Sequence, residues 1–147
     1  MSEAQRPEGW PEITPVGKIE FKDRPAFRVA VAKASGGSVG EGRLFGTLFR
    51  HIQDRDIPMT APVTMTRSTS GQMESMGFLY ENLEVGSVGR AGTAEVQDRP
   101  SATVVSTGLR GVYSEKSYAK GLALLQSYLL ERDDLHPTGE PMYMGYN

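Results

Sequence analysis

Apolar residues change their spacing several times along the chain, and each change marks a structural element. Lys18 to Lys22 and Ala26 to Ala34 read as two strands. Asp23-Arg24-Pro25 separates the two runs, because proline brings no N–H to a ladder. Gly36-Gly37 ends the second run, and Ser38-Val39-Gly40-Glu41 has the spacing of a capping box. Leu44, Phe45, Leu48, Phe49 and Ile52 then recur at helical spacing, which predicts a helix to about Asp54 with a broad apolar face. Gly40, Gly42 and Gly46 work against that helix, each by up to about 1 kcal/mol relative to alanine. Gly42 and Gly46 lie one turn apart, where something can approach the helix closely.

Past Ile57-Pro58, alternation from Met59 to Arg67 predicts a strand, with Pro62 inside it pointing to an edge or a bulge. Ser68-Thr69-Ser70-Gly71 reads as a turn and Met73 to Tyr80 as the next strand. Residues 81–93, holding Gly86, Gly89 and Gly92, read as a mobile connection. Residues 1–15 are polar, hold Pro7, Pro11 and Pro15, and read as a flexible arm leaning on the domain through Trp10.

The second half repeats the order of the first. Phe21-Lys22-Asp23-Arg24-Pro25 is echoed 75 residues later by Val96-Gln97-Asp98-Arg99-Pro100, and the same shift takes Val29 to Val104 and Gly36 to Gly111. Ser114 is placed to cap a second helix with Tyr118, Leu122, Leu125 and Leu129 on one face. Pro58-Met59 and Pro141-Met142 each open a strand-like segment after their helix. The expected fold class is α+β: duplicated β-β-α-β units forming a curved or barrel-like antiparallel sheet with two helices. The pseudo-repeats cover about 17–80 and 94–147 of a single domain, 16–147, with a cleft along the pseudo-twofold axis.

Composition narrows the function. At 147 residues, 38% hydrophobic and 23% charged, the chain fits one globular domain. A net charge of −2 with interspersed signs lacks the basic stripe of a nucleic-acid binder. Zero cysteines exclude disulfides, thiolate nucleophiles and Cys-ligated metals. Glu3, Glu8 and Glu12 mark the N-terminus as no signal peptide, and no apolar run could span a bilayer, so a cytoplasmic protein, monomer or weak dimer, is expected.

The segment from Glu41 to Gln53 (EGRLFGTLFRHIQ), followed by Ile57-Pro-Met-Thr-Ala-Pro-Val-Thr-Met65, resembles the central signature of the SOUL haem-binding family. Phe78-Leu79-Tyr80 resembles its F-L-P/Y strand, and Tyr143-Met-Gly-Tyr-Asn147 its Y-x-x-Y-N motif. The resemblance runs over roughly residues 17–147 and is most specific at I-P-M-T-A-P-V-T. It implies a distorted antiparallel barrel or curved sheet related to the GyrI-like small-molecule-binding fold. It also implies haem or another tetrapyrrole as ligand, in an apolar groove near the first helix. Where one branch of the family has a histidine proposed as an iron ligand, this chain has Asp23, so that ligand does not carry over. Relatives usually add a further strand after the Y-N motif, which leaves an open sheet edge or a place for another segment here.

The candidate binding residues are Arg43, Phe45, Leu48, Phe49, Arg50, His51, Met59, Met65, Phe78 and Tyr80. Each also has an ordinary explanation. His51 could meet a haem iron as a neutral imidazole or be a half-exposed helix residue, and His136 in its proline loop is a weaker candidate. The thioethers of Met59, Met65, Met73 and Met76 suit a flat aromatic ligand or plain core packing. Phe45, Leu48 and Phe49 divide between sheet and ligand. Arg43 and Arg50, two turns apart, could hold porphyrin propionates or line a solvated face. No set of metal ligands and no paired acid and base stand out. The leading expectation is a non-catalytic carrier or buffer of a tetrapyrrole or similar planar hydrophobic molecule, partnered with neither nucleic acid nor membrane. The rivals are an enzyme in the same cleft using Glu74, Tyr80 or Glu81, and a protein-interaction domain using a sheet edge.

Overall fold

The computed structural model describes residues 4–34, 40–111 and 114–146. Within them the order is β1 (Ile19–Arg24), β2 (Phe27–Lys33), α1 (Glu41–Asp54), β3 (Val63–Arg67), β4 (Met73–Leu79), β5 (Gly89–Ala91), β6 (Ala94–Arg99), β7 (Ala102–Thr107), α2 (Glu115–Leu130) and β8 (Tyr143–Gly145). The fold is α+β, with antiparallel pairing between all the named strands. Six strands form an open sheet in the order β5-β6-β2-β4-β3-β8, and β1 and β7 form a two-stranded ladder of their own.

The Asp-Arg-Pro segments do not fold one strand back on the next. Arg24 faces Ala102 in the β1–β7 ladder and Phe27 faces Arg99 in the β2–β6 ladder, so the same register continues across both prolines. Proline interrupts the hydrogen bonds without changing the pairing. This register is also the internal symmetry. The shift of 75 that takes Asp23 to Asp98 takes Arg28 to Thr103, and Asp23 faces Thr103 while Asp98 faces Arg28. Both carboxylates are used: Thr103 Oγ1 donates to Asp23 at 3.0 Å, and Arg28 clamps Asp98 through two bonds of 2.7 and 3.0 Å.

The period of two sorts the six-stranded sheet into two faces. Ala30, Ala32, Met65, Met76, Phe78, Ala94 and Val96 form a core with Leu44, Leu48 and Ile52 of α1. Small residues opposite the helix let it approach, and full burial of a residue such as Leu48 contributes roughly 1.5–3 kcal/mol. The other face buries Phe27, Val29 and Leu79 beneath Trp10. Gly77 in β4 is required there, because a Cβ would collide with the Val29 and Thr64 side chains of the strands on either side.

Several sequence expectations change. Trp10 is not the only anchor of the N-terminal arm, which is not loose over its described length. Gln5 bridges Thr60, the Glu8 amide bonds the Glu81 carbonyl, and Trp10 Nε1 donates to Tyr146 at 3.0 Å. The N-cap of α1 is Gly40, without a side-chain bond, so the expected Ser38–Glu41 box is not the cap, and Ser38 lies outside the described residues. Ser114 does cap α2, in a reciprocal pair with Ser117. The third strand begins at Val63, after Pro62, and lies between β4 and β8 rather than at an edge. The connection after Tyr80 contains β5, a three-residue strand too short and glycine-rich to show a period.

The two helices do not share one sheet. While α1 lies on β2, β4 and β6, α2 packs chiefly on the two-stranded ladder, against β7 and, through Tyr128, against Phe21 of β1. Two strands cover less than six, so Tyr118, Leu122, Leu125 and Leu129 are only half-buried, and Gly121, against Leu109, is the buried residue of α2. No helix among the described residues is long and apolar enough to cross a membrane.

Candidate ligand-binding flank of the first helix

At 100° per residue, the surface of α1 divides into parallel strips. Leu44, Leu48 and Ile52 point to the sheet. Next to them stand Phe45 and Phe49, then Gly42 and Gly46, then Arg43 and Arg50. The phenylalanines are 39% and 40% exposed, and their rings stack on each other with centroids 6.0 Å apart and planes 14° from parallel. Phe45 also meets the buried Phe78 edge-on at 5.0 Å, which ties the exposed pair to the core.

Gly42 and Gly46 need no glycine for packing. A Cβ at either position would meet nothing within 4 Å. Two glycines in a helix interior still cost about 1 kcal/mol each. Their visible consequence is a bare backbone strip beside a stacked aromatic pair.

The second repeat shows that the fold does not require this ridge. With the N-caps Gly40 and Ser114 aligned, Leu44 and Leu48 match Tyr118 and Leu122, so both helices keep a hydrophobic inward stripe there. Phe45 and Phe49 match Ala119 and Ala123, both exposed. The aromatic pair belongs to α1 alone.

The ten candidate residues thus separate by position. Leu48, Met65 and Phe78 are core. Met59 is half-buried against that core. Phe45, Phe49, Arg43 and Arg50 face solvent, and the two arginines form no ion pair with a described residue. His51 and Tyr80 are buried and bonded to each other, His51 Nε2 to Tyr80 Oη, at 2.9 Å. Burial pushes the imidazole below its ordinary pKa, with the Arg55 charge adding to the effect and Asp54 opposing it. Burial pushes the Tyr80 phenol up. The pair is therefore neutral near pH 7.

Two open depressions, of about 220 and 490 Å³, are lined by residues of the N-terminal arm. The smaller is bounded by Arg6, Glu12, Ile13, Ala61 and Tyr146, and neither touches α1. What α1 offers is an open ridge. No group of three or more potential metal ligands occurs among the described residues. A scan against protein-family models and a search of curated proteins return no match.

Proposed function

We propose that the protein binds a planar, apolar molecule with anionic groups at its rim, a tetrapyrrole such as haem being the model, and acts as its carrier or buffer. The observation that carries this reading is the exposed, stacked Phe45–Phe49 pair beside the Gly42–Gly46 strip. A flat ring laid on the strip reaches the bare backbone and contacts the phenylalanines along one side. Arg43 and Arg50 flank the opposite side, where guanidinium groups pair with carboxylates such as propionates. The resemblance of residues 41–65 to the SOUL signature points to the same ligand class.

The ridge fits the macrocycle better than it fits a bound iron. His51 Nε2 is engaged by Tyr80 beneath the ridge, so the helix presents no open imidazole on its outer flank. Binding in this reading rests on the ring face and the carboxylates. The enzymatic alternative gains little: Tyr80 is buried with a raised pKa, but its hydroxyl is held by His51 and neither described depression reaches it.

The test is a titration with iron protoporphyrin IX followed at the Soret band. A saturable one-to-one shift is expected, weakened about tenfold in Arg43→Gln/Arg50→Gln, as loss of charge-assisted bonds implies. A shift no stronger than an unrelated protein gives would overturn the proposal.

A further inference from the structure

The pseudo-twofold axis passes through the paired Asp-Arg-Pro segments, where Arg24 and Arg99 are equivalent under the shift of 75. Arg24 and Arg99 bring two like charges towards that axis, and no carboxylate among the described residues pairs with either. Asp23 accepts from Thr103 and Asp98 from Arg28.

Arg24 is held in place. Its guanidinium lies 4.8 Å above the Phe27 ring, and Nη2 donates to the Pro100 carbonyl at 3.1 Å. Its Nε is buried and has no hydrogen-bond partner, alone in this respect among the described side chains. A buried guanidinium N–H without an acceptor is costly, so native proteins rarely keep one without a bound water or ion to accept it. Burial and the Arg99 charge both push the Arg24 pKa down, the direction of a pair left without a neutralising partner.

We propose that Arg24 and Arg99 form an oxyanion site on the pseudo-twofold axis, separate from the α1 ridge, in which the anion accepts from Arg24 Nε and is held from the other side by Arg99. A guanidinium fork matches a phosphate group or a carboxylate pair equally well in geometry. The site therefore takes a small dianion, either a phosphate or a dicarboxylate.

The protein carries its own reporter. Trp10, its one tryptophan, makes an edge-to-face contact with Phe27 at 5.5 Å, and Arg24 rests on that same ring. Trp10 fluorescence is titrated with inorganic phosphate and, separately, with succinate, ionic strength being held constant with sodium chloride. One of the two anions is expected to give a saturable change, and which one does assigns the class. Arg24→Gln and Arg99→Gln should each weaken it about tenfold or more, while Arg90→Gln on β5 leaves it unchanged. Arg99 is exposed, so its variant decides the matter even if Arg24→Gln fails to fold. The site is overturned if neither anion acts beyond chloride, or if Arg99→Gln titrates like the parent protein.

Discussion

His51 Nε2 and Tyr80 Oη lie 2.9 Å apart at the C-terminal end of α1, with the residues only 6% and 1% exposed. The loop that follows Tyr80 closes over the pair. Gly86, at φ +64°, sets its backbone against the Tyr80 ring, and Arg28 holds the Val85 and Gly86 carbonyls at 3.1 and 3.0 Å. Removing one partner leaves the other buried without its bond. Tyr80→Phe should therefore lower stability by about 1–3 kcal/mol in urea unfolding at pH 7.5. An unchanged midpoint would show that the bond contributes nothing.

The same pair sets a pH dependence. Folding disfavours the His51 imidazolium, so the unfolded chain takes up a proton at its ordinary pKa of about 6.5 while the folded chain still resists. This stabilising contribution is complete above that value and shrinks as the pH falls towards 5. The midpoint of urea unfolding should drop over that range, and His51→Gln should flatten the drop. Equal slopes in the two proteins would place the acid sensitivity elsewhere.

Neighbouring positions on α1 should behave in opposite ways. Leu48 is fully buried, and Leu48→Ala should cost about 2–5 kcal/mol through lost burial and the cavity left behind. Phe49 keeps 40% of its surface in water, and Phe49→Ala should cost clearly less. Denaturant midpoints for the two variants check this. Comparable losses would mean that the ridge is part of the core.

Gly46 offers a test in which stability and binding diverge. A methyl group there meets nothing, so Gly46→Ala should raise stability by up to about 1 kcal/mol. It should also lift a flat ligand off the strip and weaken tetrapyrrole binding. Thermal unfolding and a Soret titration of one preparation read both effects. Binding that strengthens along with stability would contradict a ring seated on the glycines.

Much of this architecture is legible in the sequence, because periodicity and the repeated Asp-Arg-Pro carry it. Leu44, Leu48 and Ile52 mark the buried stripe of α1, and Ser114 marks the start of α2. Local spacing says nothing about pairing, however. The chain alone does not reveal that Arg24 and Phe27 sit in one register running through two sheets, or that α2 packs mainly on the small ladder. Three residues of β5 give no period, and an arm of prolines and polar residues shows Trp10 as an anchor but not the bridge from Gln5 to Thr60 or the bond to Tyr146.

At the candidate site, residue type names the residues but not their orientation. Phe45 and Phe49 are as apolar as Leu48, and only their angle from the sheet separates surface from core. His51 reads as an available imidazole until Tyr80, 29 residues away, takes its nitrogen. The Arg24–Arg99 pair was within reach, since the Asp-Arg-Pro echo names both residues, but its significance depends on where the carboxylates go.

On the outer flank of α1 the proposed recognition is of a ring face rather than of a bound metal. Parallel titrations of iron protoporphyrin IX and metal-free protoporphyrin IX test it most directly, with the parent protein and Phe45→Ala/Phe49→Ala. Affinities for the two ligands should lie within about tenfold of each other, with a loss of about tenfold or more for both in the folded double variant. Binding that requires the iron, or a double variant that binds both ligands as the parent does, would contradict it.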